Sequence, residues 1–175
     1  MRILAICGSL RAGSTNTALL EAAMRIAPPD MQIVLYRGLG ELPHFNPDLD
    51  QEAATPPPAV ASLRAEISAA AGVIISTPEY AHGLPGSLKN ALDWLVSYPD
   101  FAGKPVLVWN ASAAGGDHAQ ASLLEILKTM SARVLVEDSL LAPFLHRKLA
   151  PGAELSEAVA RPLRSSLAAL AAAAR

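Results

Sequence analysis

A chain of 175 residues, 51% of them hydrophobic and 17% charged, has the length for one well-packed domain and is short for two. A net charge of −2 with scattered arginines gives no general attraction to nucleic acid or anionic lipid. One cysteine excludes an internal disulfide, and no apolar stretch has the length and hydrophobicity of a bilayer span, so the expectation is a cytoplasmic protein with neither partner.

The first apolar run, Ile3–Cys7, predicts a strand; Gly8 cuts it too short for the centre of a signal peptide. A helical pattern follows over Thr15–Ile26 and stops at Pro28-Pro29. Gln32–Tyr36 predicts a second strand. The stretch from Gly38 to Thr55 is a long irregular connection holding Pro43, Asn46, Pro47 and Asp48, and loops of that length are usually functional or mobile. Pro56-Pro57-Pro58 opens a helix over Ala59–Ala70. Then come a strand at Val73–Ser76, a helix at Leu84–Val96, a strand at Val106–Trp109, a helix at Gly116–Met130 and a strand at Val134–Val136. The last pattern, Ser156–Ala174, contains Pro162, which predicts a kink or two short helices, and its Ala-rich end predicts fraying. Strands that are continuously apolar are buried on both faces, and their strict alternation with helices gives a βαβ series. The predicted fold is α/β: a flavodoxin-like doubly wound sheet of five parallel strands, order 2-1-3-4-5, with helices on both faces and one domain over residues 1–175.

In such a sheet, ligands lie beyond the carboxyl ends of the strands where strand order reverses, and three loops meet there. The first is Gly8-Ser-Leu-Arg-Ala-Gly-Ser-Thr-Asn16, a Gly/Ser-rich turn from strand to helix. It presents free N–H groups and a positive helix end at one point, with Ser9, Ser14, Thr15 and Asn16 as further donors and Arg11 as a fixed fork, which suits a phosphate. An ordinary cap needs one such residue, and this turn has four. The second loop, Thr77 to Gly86, places two glycines and two prolines beside Tyr80 and His82, a rigid wall with exposed amides for a flat ring. The third, Asn110-Ala-Ser-Ala-Ala-Gly-Gly116, carries only small side chains after Asn110 and admits a planar ligand close to the main chain. A phosphate cradle beside an amide-lined slot describes a phosphorylated flat ring, and flavin mononucleotide (FMN) fits.

The pattern Gly-Ser-Leu-Arg-x-Gly-Ser-x-Asn (8–16), with Pro-Glu-Tyr (78–80) and Gly-Leu-Pro-Gly-x-Leu-Lys-Asn-Ala-Leu-Asp-Trp (83–94), resembles the NADPH-dependent FMN reductase family of flavin, quinone, azo-dye and chromate reductases. The resemblance covers nearly the whole chain. It implies an FMN-binding homodimer or homotetramer that takes hydride from NADPH or NADH. It further implies phosphate ligands at Ser9, Arg11, Ser14, Thr15 and Asn16, and a ring wall and floor at Pro78, Glu79, Tyr80, Ala81, His82 and Gly83. Ser112, Ala114 and Gly115 would line the far side. Ala81-His82 departs from the family, many of whose members carry Asn after the Tyr.

Other roles stay open at the level of sequence. Arg11 serves the FMN phosphate, the 2′-phosphate of NADPH, or solvent. Glu79 is a general base or, more in keeping with its proline turn, a structural group bonded to backbone. Tyr80 meets the flavin edge or a partner subunit, and Trp94 packs between subunits or under its helix. Lys89 and Asp93, four apart, form a helix pair. His82 has the best placed imidazole; His118 is a weaker substrate contact, and His44 and His146 read as surface or interface groups. Cys7 reads as a packed thiol, and no His/Cys/carboxylate spacing suits a metal. With flavin chemistry the chain needs no catalytic side chain of its own, only amide donors where charge accumulates and one open ring face for a ping-pong exchange with a small acceptor. The alternatives are a flavodoxin-like electron carrier, which is usually more acidic than −2, and a protein for another phosphorylated ligand.

Overall fold

The computed structural model describes residues 1–175 apart from 53, 112–115, 141–148, 150, 151 and 153. Strand β1 (Arg2–Cys7) lies between β2 (Gln32–Tyr36) and β3 (Gly72–Ser76), followed by β4 (Pro105–Trp109) and β5 (Arg133–Val134). All pairings are parallel and the order is 2-1-3-4-5, as the sequence predicts. The helices are α1 (Thr15–Ile26), α2 (Pro58–Ala69), α3 (Gly86–Asp93), α4 (Asp117–Thr129) and α5 (Glu157–Ala173).

Side chains of β1 alternate between two cores, which is why its sequence shows no polar face. Leu4 and Ile6 join Leu63 and Ile67 of α2, Leu88 and Leu92 of α3 and Leu123 and Leu127 of α4. Ile3, Ala5 and Cys7 join Leu19 and Leu20 of α1 and Leu163, Leu167 and Leu170 of α5. Each such aliphatic side chain, buried, contributes roughly 1.5–3 kcal/mol. Gly72 lets α5 close on the sheet: a Cβ there would lie 2.9 Å from Leu170 Cδ1.

The structure corrects several boundaries. Helix α3 starts at Gly86, because Pro85 occupies the cap, and ends at Asp93. Helix α5 runs unbroken through Pro162 instead of splitting. The proline removes one N–H from its second turn, while the buried stripe Leu163, Leu167 and Leu170 holds the helix to the core. The fifth strand ends at Val134 rather than Val136, because the chain turns at Val136–Ser139 and rejoins β4 at Leu140. Ser139 bridges the gap, its hydroxyl donating to Leu135 O (2.8 Å) and accepting the Val108 N–H (3.0 Å).

The long connection after β2 is held to the body of the fold. Asn90 Oδ1 accepts the Phe45 N–H at 2.8 Å, while Asn90 Nδ2 and Trp94 Nε1 both donate to Pro43 O. Phe45 meets Trp94 edge-on at 5.0 Å. Further along, Arg64 donates to Asp50 Oδ1 at 2.6 Å and to Trp94 O at 2.7 Å, and Ser97 donates to Asp50 Oδ2. Burial pushes the Asp50 carboxyl up, but the bonds from Ser97 and Arg64 and the Arg64 charge outweigh it and hold it below its usual value. Among the described residues no helix is long and apolar enough to cross a membrane.

Candidate active site

The loop after β1 is built for close contact. The Gly8 N–H donates to Ser76 O at 2.8 Å, and a Cβ on Gly8 would fall 2.4 Å from Thr77 Oγ1, so the first and second loops touch only because residue 8 is glycine. Ser14 caps α1, its hydroxyl accepting the Thr17 N–H at 3.4 Å, while the Ser14 N–H donates to Arg11 O and the Arg11 N–H to Ser9 Oγ. The N–H groups of Gly13, Thr15 and Asn16 find no acceptor among the described residues, and the space beside Gly13 is open. Orphan donors at the positive end of a helix make a receptor for an anion.

Asn16 is buried and does more than line this corner. Its Oδ1 accepts the Ser76 hydroxyl at 2.8 Å and the Ala111 N–H at 3.1 Å. One side chain thereby fixes the first loop to β3 and to the start of the loop after β4. Its amide Nδ2 and backbone N–H are the donors left for a ligand. Cys7 accepts from Thr17 Oγ1 at 3.1 Å and packs among Leu19, Leu20 and Trp109, as a structural thiol does.

In the second loop Tyr80 and Gly83 exchange two N–H···O bonds of 3.0 Å, closing a two-residue turn. Its central residues, Ala81 and His82, have φ of 49° and 59°. Such left-handed turns favour Gly, Asn or Asp, and each non-glycine residue costs on the order of 1 kcal/mol. The turn presents the Tyr80 hydroxyl to Ser9 Oγ at 3.2 Å, joining it to the first loop. The Tyr80 ring is half exposed. On the other side, the His82 ring stacks on His118 at 4.3 Å with the planes tilted by 40°.

Glu79 turns away from chemistry. Its Oε2 accepts the Ala119 N–H at 2.9 Å, in the first turn of α4, and so serves as a cap for that helix. Ser112, Ala114 and Gly115 lie outside the described residues, as does His146. Beside them, a Cβ on Gly116 would coincide with the Asn110 amide at 1.6 Å, so glycine alone fits where the third loop returns to α4. Among the described residues no three His, Cys, Asp or Glu side chains cluster as a metal site.

A family model described as NADPH-dependent FMN reductase matches residues 1–146. A quinone reductase of Escherichia coli (strain K12) is 36% identical over 155 residues, spanning 86% of this chain and 82% of its own length. An NAD(P)H-dependent FMN reductase of Pseudomonas aeruginosa is 40% identical over 131 residues, 73% of this chain and 69% of its own. The chain belongs to the NADPH-dependent FMN reductase family. This reductase also superimposes on FerB, a flavoenzyme NAD(P)H:(acceptor) oxidoreductase from Paracoccus denitrificans, with a TM-score of 0.83 and 28% identity over 99% of this chain and 96% of that one. It is accordingly an FMN-dependent oxidoreductase that draws on NAD(P)H, and the electron-carrier alternative is set aside.

Of the residues that sequence reading grouped, Ser9 bonds Tyr80 across two loops, Asn16 bonds Ser76 and Ala111, Glu79 bonds Ala119, and His82 stacks on His118, while Ser14 caps its own helix. Trp94 lies fully buried under its helix, and Lys89 and Asp93 pair at 2.6 Å. Sequence reading missed Ser76 and Ser87, whose hydroxyls reach Asn16 and Gly8 O. The available signal was a Ser-Thr pair closing an otherwise apolar strand.

Proposed function

We propose that the first loop holds the FMN phosphate through Ser9, Ser14, Thr15 and Asn16, with Arg11 on the same loop. The ring would lie along Pro78, Glu79, Tyr80, Ala81, His82 and Gly83, with Ser112, Ala114 and Gly115 on its far side. The residues described fit the group: unsatisfied N–H donors meet an anion, and the glycine-dependent contacts at Gly8 and Gly116 keep the floor shallow. The observation that carries this reading is the Ser9–Tyr80 hydrogen bond, which couples the anion corner to the rigid turn that would border the ring.

When bound, FMN supplies the hydride chemistry, in a ping-pong cycle from NADPH or NADH to a small acceptor such as a free flavin, quinone, azo dye or chromate. The protein's part is to orient and to keep one face open. Exposed amides of the turn at Ala81 and His82 stand where they can stabilise charge without reorganising. No side chain has to transfer a proton, and Glu79 is already engaged by Ala119. The working unit is a homodimer or homotetramer of single flavodoxin-like domains in the cytoplasm, and the half-exposed Tyr80 and exposed Val96 are apolar surface that a neighbouring subunit would cover.

Purified protein mixed with FMN should quench its fluorescence and turn yellow, and anaerobic NADPH or NADH should bleach it within minutes. Protein that takes up no FMN, or yellow protein that neither nucleotide bleaches, would overturn the reading. Sedimentation velocity of the yellow protein reads the assembly.

A further inference from the structure

The turn that closes the second loop places two neighbouring non-glycine residues in left-handed backbone, Ala81 at φ 49° and His82 at φ 59°. That conformation is costly for side chains with a Cβ, and alanine has no polar group with which to bond the local backbone in return. The two mutual Tyr80–Gly83 bonds that close the turn are at the surface, where water competes for them. A strained turn persists only when its surroundings over-determine it.

Three side chains of this segment reach out to other elements. Glu79 Oε2 accepts the Ala119 N–H at 2.9 Å, the Tyr80 hydroxyl meets Ser9 Oγ at 3.2 Å, and the His82 ring lies on His118 at 4.3 Å between centroids. Two of these anchors, His118 and Ala119, are adjacent residues in the first turn of α4. The histidine contact differs in kind from the other two. Both imidazoles are exposed, and neither forms a hydrogen bond or ion pair among the described residues. What orients each ring is the other ring, tilted by 40° in an offset aromatic contact. His118 therefore bears on the very residue whose backbone is strained, and its polar atoms are engaged by nothing else among the described residues.

We propose that His118 is a positioning residue for the flavin site: its ring clamps His82 and so keeps the turn in the left-handed form whose N–H groups border the flavin ring. The inference rests on the reductase reading above. His118 acts through His82 and needs no contact of its own with FMN or with an acceptor, which replaces the substrate contact that sequence suggested for it. Two consequences follow from the physics of the clamp. A ring, rather than an imidazole, is what position 118 has to supply. The clamp also matters less once the strain is gone, as when asparagine replaces Ala81.

Amide hydrogen exchange on the flavin-free full chain reads the turn directly. His118→Ala should speed exchange of the Tyr80 and Gly83 N–H groups by about threefold to tenfold, the equilibrium worth of one aromatic contact, and His118→Phe should return both to within about twofold of wild type. Fluorescence titration with FMN should show the Kd rising by about threefold to tenfold in His118→Ala, with the same rescue in His118→Phe. In an Ala81→Asn background, His118→Ala should raise the FMN Kd by about twofold or less, because the strained state it guarded is now favoured locally. Unchanged exchange in His118→Ala, a phenylalanine variant no better than the alanine one, or an undiminished penalty in the Ala81→Asn background each overturn the proposal. A wild-type protein that takes up no FMN defeats the reductase reading, while exchange at Tyr80 and Gly83 still decides the clamp.

Discussion

Glu79 accepts the N–H of Ala119 at 2.9 Å, so a carboxylate from the loop after β3 caps the helix that follows β4. The bond makes the two walls of the proposed ring slot a single unit and gives Glu79 a role that requires no proton transfer. Glu79→Ala should lower unfolding free energy by about 1 kcal/mol, and Glu79→Gln by roughly half as much, since the amide keeps an acceptor but loses the charge at the helix start. Denaturant melts read both values. The rate of flavin bleaching at saturating NADPH should change less than tenfold, in contrast to the removal of a catalytic base.

Ala81 occupies a left-handed position, with φ of 49°. Asparagine tolerates that region better than alanine, because its short polar side chain can bond the local backbone. Ala81→Asn is expected to stabilise the protein by roughly 0.5–1 kcal/mol, and Ala81→Val to destabilise it by more than about 1 kcal/mol. Urea midpoints at fixed m-value check the pair, and both variants losing equal stability would refute the argument.

Asn16 joins three segments through one oxygen. Asn16→Ala leaves the Ser76 hydroxyl and the Ala111 N–H buried without that acceptor, at about 1–3 kcal/mol each before relaxation. The double variant Asn16→Ala/Ser76→Ala should recover part of the loss, because one orphan donor disappears. Both should weaken FMN binding, measured by fluorescence titration.

Asp50 anchors the long loop to Arg64 and Ser97, and its carboxyl is held below the ordinary value. Because the folded pKa lies under the unfolded one (about 3.9), the bond stabilises the fold fully above that pH and is lost as pH falls through the folded value. Asp50→Asn should therefore cost about 1–2 kcal/mol at neutral pH and flatten the acid limb of the stability profile. A steep acid limb that persists in the variant would assign it to other carboxylates.

The fold was legible because β1 and its neighbours are buried on both faces, so apolar runs separated by helical patterns left little choice of architecture. The anion corner was legible as well, since Gly8, Ser14 and Asn16 are unusual together. Three things were not. Side-chain bonds across distant loops, such as Glu79 to Ala119, depend on a register that local sequence does not encode. Asn90 stands in the family pattern with no role of its own and Trp94 reads as a packing residue, yet their polar atoms hold Pro43 and Phe45. Pro162 argued for a kink or two short helices, and the packing of Leu163 and Leu167 keeps one continuous helix.

The brevity of β5 has a consequence for behaviour at high concentration. A sheet border with a long row of free amides invites neighbouring molecules to zip on, and the border here has only Arg133 and Val134 in regular ladder before Glu137 and Asp138 intervene. A guanidinium and two carboxylates at that margin discourage a second sheet from docking along β5.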